Sequence, residues 1–205
     1  MATDYTSLKA EVANWLDRED LTSEIESCIQ FAEARFNRSL WAAEREEATT
    51  LEATSAEVAL PSDFSAIRSL HITADPLIII EPMALPLLRA SHRAGATGQP
   101  CNYAVTGGDT LVLAPTPDDT YTIVLDYYRT IPALSDSNPT NWLLTSHPDL
   151  YLSASLVEAF LIVRDQERAQ LWEAKTASTI TQLESAGRYK AHGGLPGRMR
   201  APHVV

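Results

Sequence analysis

The sequence predicts an α+β fold. Helices at the two ends form a bundle, a central antiparallel β-rich insertion separates them, and an extended C-terminal arm follows. Three observations predict it. Apolar residues recur at helical spacing before residue 41 and again after residue 150. Between them, short runs alternate with period two and are punctuated by glycine and proline. After Gly187 neither period survives, and Gly193, Gly194, Pro196, Gly197 and Pro202 crowd the remaining residues. The chain therefore divides into a helical hairpin at 1–41, a β-rich region at 42–132, a linker with C-terminal helices packing on the hairpin at 133–187, and a basic arm at 188–205.

Each element has its own warrant. Residues 5–17 carry Leu8, Val12, Trp15 and Leu16 at helical spacing, and Arg18-Glu19-Asp20 breaks the pattern. From Thr22 to Leu40, Ile25, Cys28, Ile29, Ala32, Phe36 and Leu40 form one stripe, with Glu24, Glu33, Arg35 and Arg38 off it. Ser23 and Glu26 have capping-box spacing. Thr49–Leu51, Glu57–Leu60, Ile67–Ile72 and Leu77–Glu81 read as short strands, and Met83–Ser91 as one helical excursion with Pro86 in its first turn. Gly107-Gly108-Asp109 supplies the positive φ of a tight hairpin between Cys101–Thr106 and Thr110–Ala114. Tyr121–Arg129 alternates Ile123, Leu125 and Tyr127 with polar partners and closes a three-strand meander from 101 to 129. An antiparallel sheet or small sandwich results.

The linker from Ala133 to Ser146 is rich in turn formers, with Trp142-Leu143-Leu144 as an apolar plug. Ser146 fits the N-cap of the next helix, Pro148 its first turn, and Asp149 the positive end of its dipole. Unbroken, a helix from Leu150 to Ala186 would span about 55 Å, so a break near Asp165 divides it in two. Gly187 suits a helix C-terminus.

Composition narrows the function classes. The chain has 205 residues and a formal net charge of −11, but the charge is uneven. Residues 1–187 hold 12 basic and 27 acidic side chains, and residues 188–205 hold only basic ones: Arg188, Lys190, Arg198 and Arg200. An acidic body argues against a general nucleic-acid binder. No apolar run is long enough to cross a membrane. The first residues lack the basic and apolar regions of a signal peptide, so synthesis inside the cell and free thiols at Cys28 and Cys101 are expected.

No phosphate-binding glycine loop, nucleophile elbow or paired metal-ligand spacing occurs. His71 and His147 fall on a strand and at a helix start. Asp118-Asp119 lies between prolines and reads as a turn. Arg89, His92 and Arg93 make a weak basic loop. No catalytic, metal or cofactor residue is assigned.

The order of motifs carries more than any one of them. Tyr5–Leu16, Arg18…Asp20-Leu21, Ala34-Arg35-Phe36-Asn37-Arg38, Leu60-Pro61-Ser62-Asp63-Phe64, Gly98-Gln99-Pro100, Tyr103-Ala104-Val105, Leu113-Ala114-Pro115-Thr116-Pro117, Tyr127-Tyr128, Asn141-Trp142-Leu143-Leu144 and Pro148-Asp149-Leu150-Tyr151 follow in series. Over residues 5–187 this series resembles the head–tail adaptor (connector) proteins of short-tailed bacteriophages. The resemblance implies a structural virion protein, made in the host cytoplasm and placed at the neck between capsid and tail. It implies a homo-oligomeric ring, usually of twelve copies, seated on the portal protein and offering a platform to the tail tube or nozzle. DNA would pass through without specific binding.

On that plan the basic arm is the portal-docking element, with Arg188, Tyr189, Lys190, Arg198, Met199 and Arg200 as contacts. The acidic residues Glu24, Glu26, Glu33, Asp165, Glu167 and Glu173 would border the channel, where like charge lowers affinity for phosphate. The alternatives are a tail-completion or gatekeeper protein on the tail side, and a small hydrolase or binding domain.

Overall fold

The structure is a computed structural model and describes residues 2–18, 20–91 and 95–191. It is α+β, and it separates into two compact units. One is built from the two ends of the chain, up to Glu44 and from Ile131 onward. The other is Arg45–Thr130.

In the first unit, α1 (Tyr5–Leu16) and α2 (Thr22–Ser39) form the predicted pair. A capping box does occur, but on α1: the Asp4 carboxylate accepts from the Ser7 amide, and the Ser7 side chain accepts from the Asp4 amide. At α2 the expected Ser23–Glu26 box is absent. The helix begins one residue earlier, with Leu21 at the cap, and the Ser23 hydroxyl donates to Glu24 instead. A second short helix, absent from the sequence reading, places the Trp142-Leu143-Leu144 plug: α4 (Trp142–Ser146) is started by Asn141, whose Oδ1 accepts from the Leu144 amide. Ser146 is thereby the last residue of α4 rather than the cap of α5 (Pro148–Ile162). His147 occupies that position, with Pro148 just inside the helix.

Helix α5 is buried on nearly every side, from Leu150 through Phe160. It packs against α1, α2 and α4, and against α6 (Gln166–Ala191). A helix that is apolar all round lies at the centre of a bundle, and here Phe36 meets Tyr151 edge-on at 5.1 Å between ring centroids. The predicted break falls at Arg164, whose φ is 60°, and Asp165 restarts the chain as α6 by accepting from the Arg168 amide. Gly187 does not end α6, which runs on to Ala191, so the first residues assigned to the extended arm are helical. Gly187 is buried, and a Cβ there would lie 3.3 Å from the Ala43 backbone nitrogen. Glycine serves close approach rather than termination at this position.

The second unit is a small sandwich with a helix on one side. Its strands are β1 (Glu46–Ala53), β2 (Glu57–Ala59), β3 (Phe64–Ile72), β4 (Ile78–Ile79), β5 (Glu81–Pro82), β6 (Asn102–Thr106), β7 (Thr110–Ala114) and β8 (Tyr121–Arg129). One sheet has the order β1-β8-β3-β4 and is antiparallel. The other has the order β2-β7-β6-β5, with β5 parallel to β6. The β6–β7 hairpin forms as predicted, with Gly107 and Gly108 both at positive φ.

The meander does not form: β8 leaves β7 and becomes an inner strand of the opposite sheet. The connection, residues 115–120, is longer than a tight hairpin and carries two prolines that cannot donate to a ladder. The alternation in β8 survives the move. Ile123, Leu125 and Tyr127 face the core with Leu70, Ile72, Ile80, Leu111 and Leu113. The other face of the second sheet, with Ala104, Val112 and Ala114, is covered by Leu88 of α3 (Leu85–Ser91). Arg45 is fully buried in this unit, its Nε donating to the Arg129 carbonyl at 2.8 Å and its Nη2 to Ser65 Oγ at 3.0 Å.

Both cysteines are free. Cys28 is buried and Cys101 exposed. Burial pushes the Cys28 thiol up to about 11, so little thiolate exists near neutrality. A native thiol titration at pH 8 should therefore report one reactive group, mapped by mass spectrometry to Cys101, and a second only in denaturant. Rapid native labelling of Cys28 would contradict the packing of α2 on α5.

Candidate assembly surfaces

The acidic residues singled out from the sequence do not form one surface. Glu33 lies in the helical core, 5% exposed. Its Oε1 accepts from the Leu134 amide at 2.7 Å and from the Tyr151 hydroxyl at 3.2 Å. Asn141 Nδ2 donates to the Tyr151 hydroxyl at 2.7 Å and to the Pro132 carbonyl at 2.8 Å. One turn along α2, Asn37 Oδ1 accepts from the Ile131 amide at 2.8 Å. Glu33 is therefore withdrawn from the channel-facing set. A buried carboxylate that satisfies backbone donors of the linker cannot also meet passing solvent. A signal existed, since Glu33 falls four residues after Ile29 and within the buried face of the stripe.

The other five are at the surface of the same unit. Glu26 pairs with Lys9 at 3.0 Å, and Asp165 with Arg168 at 3.4 Å. Glu24 accepts from Ser23, and Glu167 is exposed. Glu173 receives both guanidinium nitrogens of Arg35, at 2.5 and 2.7 Å, a bidentate pair linking α6 to α2. That hydrogen bond lowers the Glu173 carboxyl below its ordinary range and raises Arg35.

The Arg35–Glu173 pair forms one wall of a groove of about 380 Å³ between α2, α5 and α6. Val157, Leu161 and Ala169 give it apolar lining, and Glu158, Gln166 and Gln170 line the rest. Leu161 is 50% exposed. Glu158 is half-buried and makes no ion pair among the described residues. The sequence could not show this groove, because Arg35 and Glu173 are 138 positions apart. Further exposed apolar side chains of this unit include Phe31, Trp41 and Leu171.

In the sandwich unit the largest depression, about 470 Å³, is lined by Glu46, Glu47, Ala48, Arg68 and Asp126. Its charges are satisfied in pairs: Arg68 with Glu46, Glu47 with Arg129, and Asp126 with Ser69. Among the described residues no cluster of three or more histidine, cysteine or carboxylate groups is placed to hold a metal, and no helix is long and apolar enough to cross a membrane.

Of the residues assigned to portal docking, Arg188, Tyr189 and Lys190 lie on the last turn of α6, and Tyr189 is 68% exposed. Arg198, Met199 and Arg200 lie outside the described residues.

A helical bundle and a β-sandwich in one chain, bearing an apolar groove and exposed aromatic side chains, describe a protein that works through its surfaces. The sequence matches the SU10 adaptor protein family over residues 3–200, and the chain belongs to that family. It is a phage adaptor, a structural component of the virion neck that assembles with other virion proteins. No curated protein matches the chain.

The buried network gives a pH prediction. Burial raises the Glu33 carboxyl above its ordinary range, the two hydrogen bonds opposing this only in part. A raised native pKa means the contribution is present below the unfolded value of about 4.3 and is lost as pH rises through the native value. Glu33→Gln keeps an acceptor for Leu134 and Tyr151 without the charge. Urea midpoints should show the wild type losing ground to Glu33→Gln as pH rises from 4 to 7. Glu33→Ala should cost about 2–3 kcal/mol by leaving two buried donors unpaired.

Proposed function

We propose that this chain is the repeating subunit of a ring, of twelve copies, that sits between the portal protein and the tail tube or nozzle and leaves a channel for DNA. The observation that supports this most is the family match across both the helical and the β-rich regions. The segment after Glu184 has no acidic residue, whereas the rest of the chain is strongly acidic. That asymmetry suits an arm that leaves an acidic body to dock on a partner. Arg188, Tyr189, Lys190, Arg198, Met199 and Arg200 are its proposed contacts with the portal. The rest of the arm is too poor in apolar residues to form a core of its own.

Glu24, Glu26, Asp165, Glu167 and Glu173 are proposed to border the DNA path, where negative charge discourages sticking. Three of these already have cationic partners, so Glu24 and Glu167 would supply most of the repulsion. Replacing both with lysine should raise the affinity of the assembled ring for duplex DNA at least tenfold at moderate salt, read by a filter or fluorescence assay. An unchanged affinity would remove these residues from the channel.

Size exclusion with light scattering tests the main reading. The purified chain should run as a monomer alone and join purified portal in a complex carrying about twelve copies. Arg198→Glu with Arg200→Glu should abolish that co-elution. A chain that ignores portal but binds a tail protein would belong on the tail side as a completion or gatekeeper component.

A further inference from the structure

We infer that the groove between α2, α5 and α6 is the seat of the chain's own C-terminal segment in the unassembled subunit, with Met199 over Leu161 and Arg198 and Arg200 beside Glu158 and the Arg35–Glu173 pair.

The groove has the chemistry for such an occupant. Its floor is apolar, with Val157 and Ala169 buried and Leu161 half-exposed. Glu158 stands half-buried at its edge with no ion pair among the described residues, because the nearby Arg35 is already committed in bidentate fashion to Glu173. A half-buried carboxylate beside an apolar floor favours a cationic group flanking an apolar one. The segment from His192 to Val205 offers that pattern once. In Arg198-Met199-Arg200 two arginines flank a methionine, and in an extended strand they point away from it. Methionine also fills irregular apolar gaps well.

Reach agrees with chemistry. From Ala191 back along α6 to Glu173 is about 27 Å at 1.5 Å per residue. From Ala191 to Met199 an extended chain spans about 26–29 Å. Met199 therefore arrives at the level of the groove when the segment doubles back along the helix that precedes it. The end of α6 and the groove belong to the same compact unit.

The consequence for assembly rests on the proposed portal-docking role of the arm. The residues offered to the portal would be held in the groove until the portal competes for them, which would keep free subunits from engaging one another prematurely. Occupancy of the groove does not rest on that role and is tested without portal.

The test is disulfide trapping in the full-length chain, with Cys101→Ser removing the exposed native thiol. Leu161→Cys with Met199→Cys is compared with Leu171→Cys with Met199→Cys. Leu171 is 68% exposed and is not among the groove residues, so it reports on chance encounters of the tether. Under mild copper–phenanthroline oxidation the groove pair should close within one chain at least tenfold faster than the control pair. Adding Glu158→Lys should erase the difference, with far-UV circular dichroism confirming that the variants fold. Equal rates for the two pairs would overturn the inference. Disulfide-linked dimers that vanish on dilution would also overturn it, by making the occupant a second copy's segment. If trapping succeeds and portal binding fails, only the portal-docking role falls.

Discussion

The helical unit depends on a polar seam buried inside it. The linker that re-enters this unit after the β-rich region has backbone groups that must be satisfied away from water. Helix α2 supplies the acceptors, Asn37 to the Ile131 amide and Glu33 to the Leu134 amide. Helix α5 supplies Tyr151, and the linker itself supplies Asn141, which bonds Tyr151, the Pro132 carbonyl and the Leu144 amide together. Burial pushes the Tyr151 hydroxyl far above its ordinary range, so it stays protonated and available as a donor. Apolar packing alone would hold α1, α2 and α5 together in several registers. A seam in which each donor has one acceptor fixes the register, because slippage would strand a buried polar group.

Much of the fold was legible because it follows period. The stripe of α2, the alternation of β8, the Gly107-Gly108 hairpin and the break at Asp165 are local statements about spacing, and local spacing survives in the structure. What was not legible is relational. The caps at Ser23 and Ser146 failed because helix starts depend on which neighbouring residue reaches the first free amide, and here Leu21 and the preceding helix α4 took those positions. Partner choice for β8 lies in the pairing of strands far apart in sequence, Glu46–Ala53 on one side and Phe64–Ile72 on the other. Glu33 looked like surface because carboxylates usually are. Its burial is set by backbone donors about a hundred residues away.

The same distinction governs the surfaces. Residue type alone nominated six carboxylates, and geometry sorted them into one core acceptor, three ion-pair partners and two less committed charges. The groove was invisible to sequence reading because its residues come from opposite ends of the chain. The family match explains why no reactive constellation was needed: an adaptor's chemistry is shape and charge presented to other virion proteins.

The discontinuity of the helical unit has a temporal meaning. During synthesis α1 and α2 emerge first, with Leu8, Val12, Ile29 and Phe36 facing outward and their main partner, α5, still unmade. The segment Arg45–Thr130, which is contiguous and has its own core, can close while the rest is being translated. The amino-terminal hairpin must wait for more than a hundred further residues. For that interval its apolar stripe is a binding site for whatever arrives, whether chaperone, another nascent chain or, at last, its own helix α5.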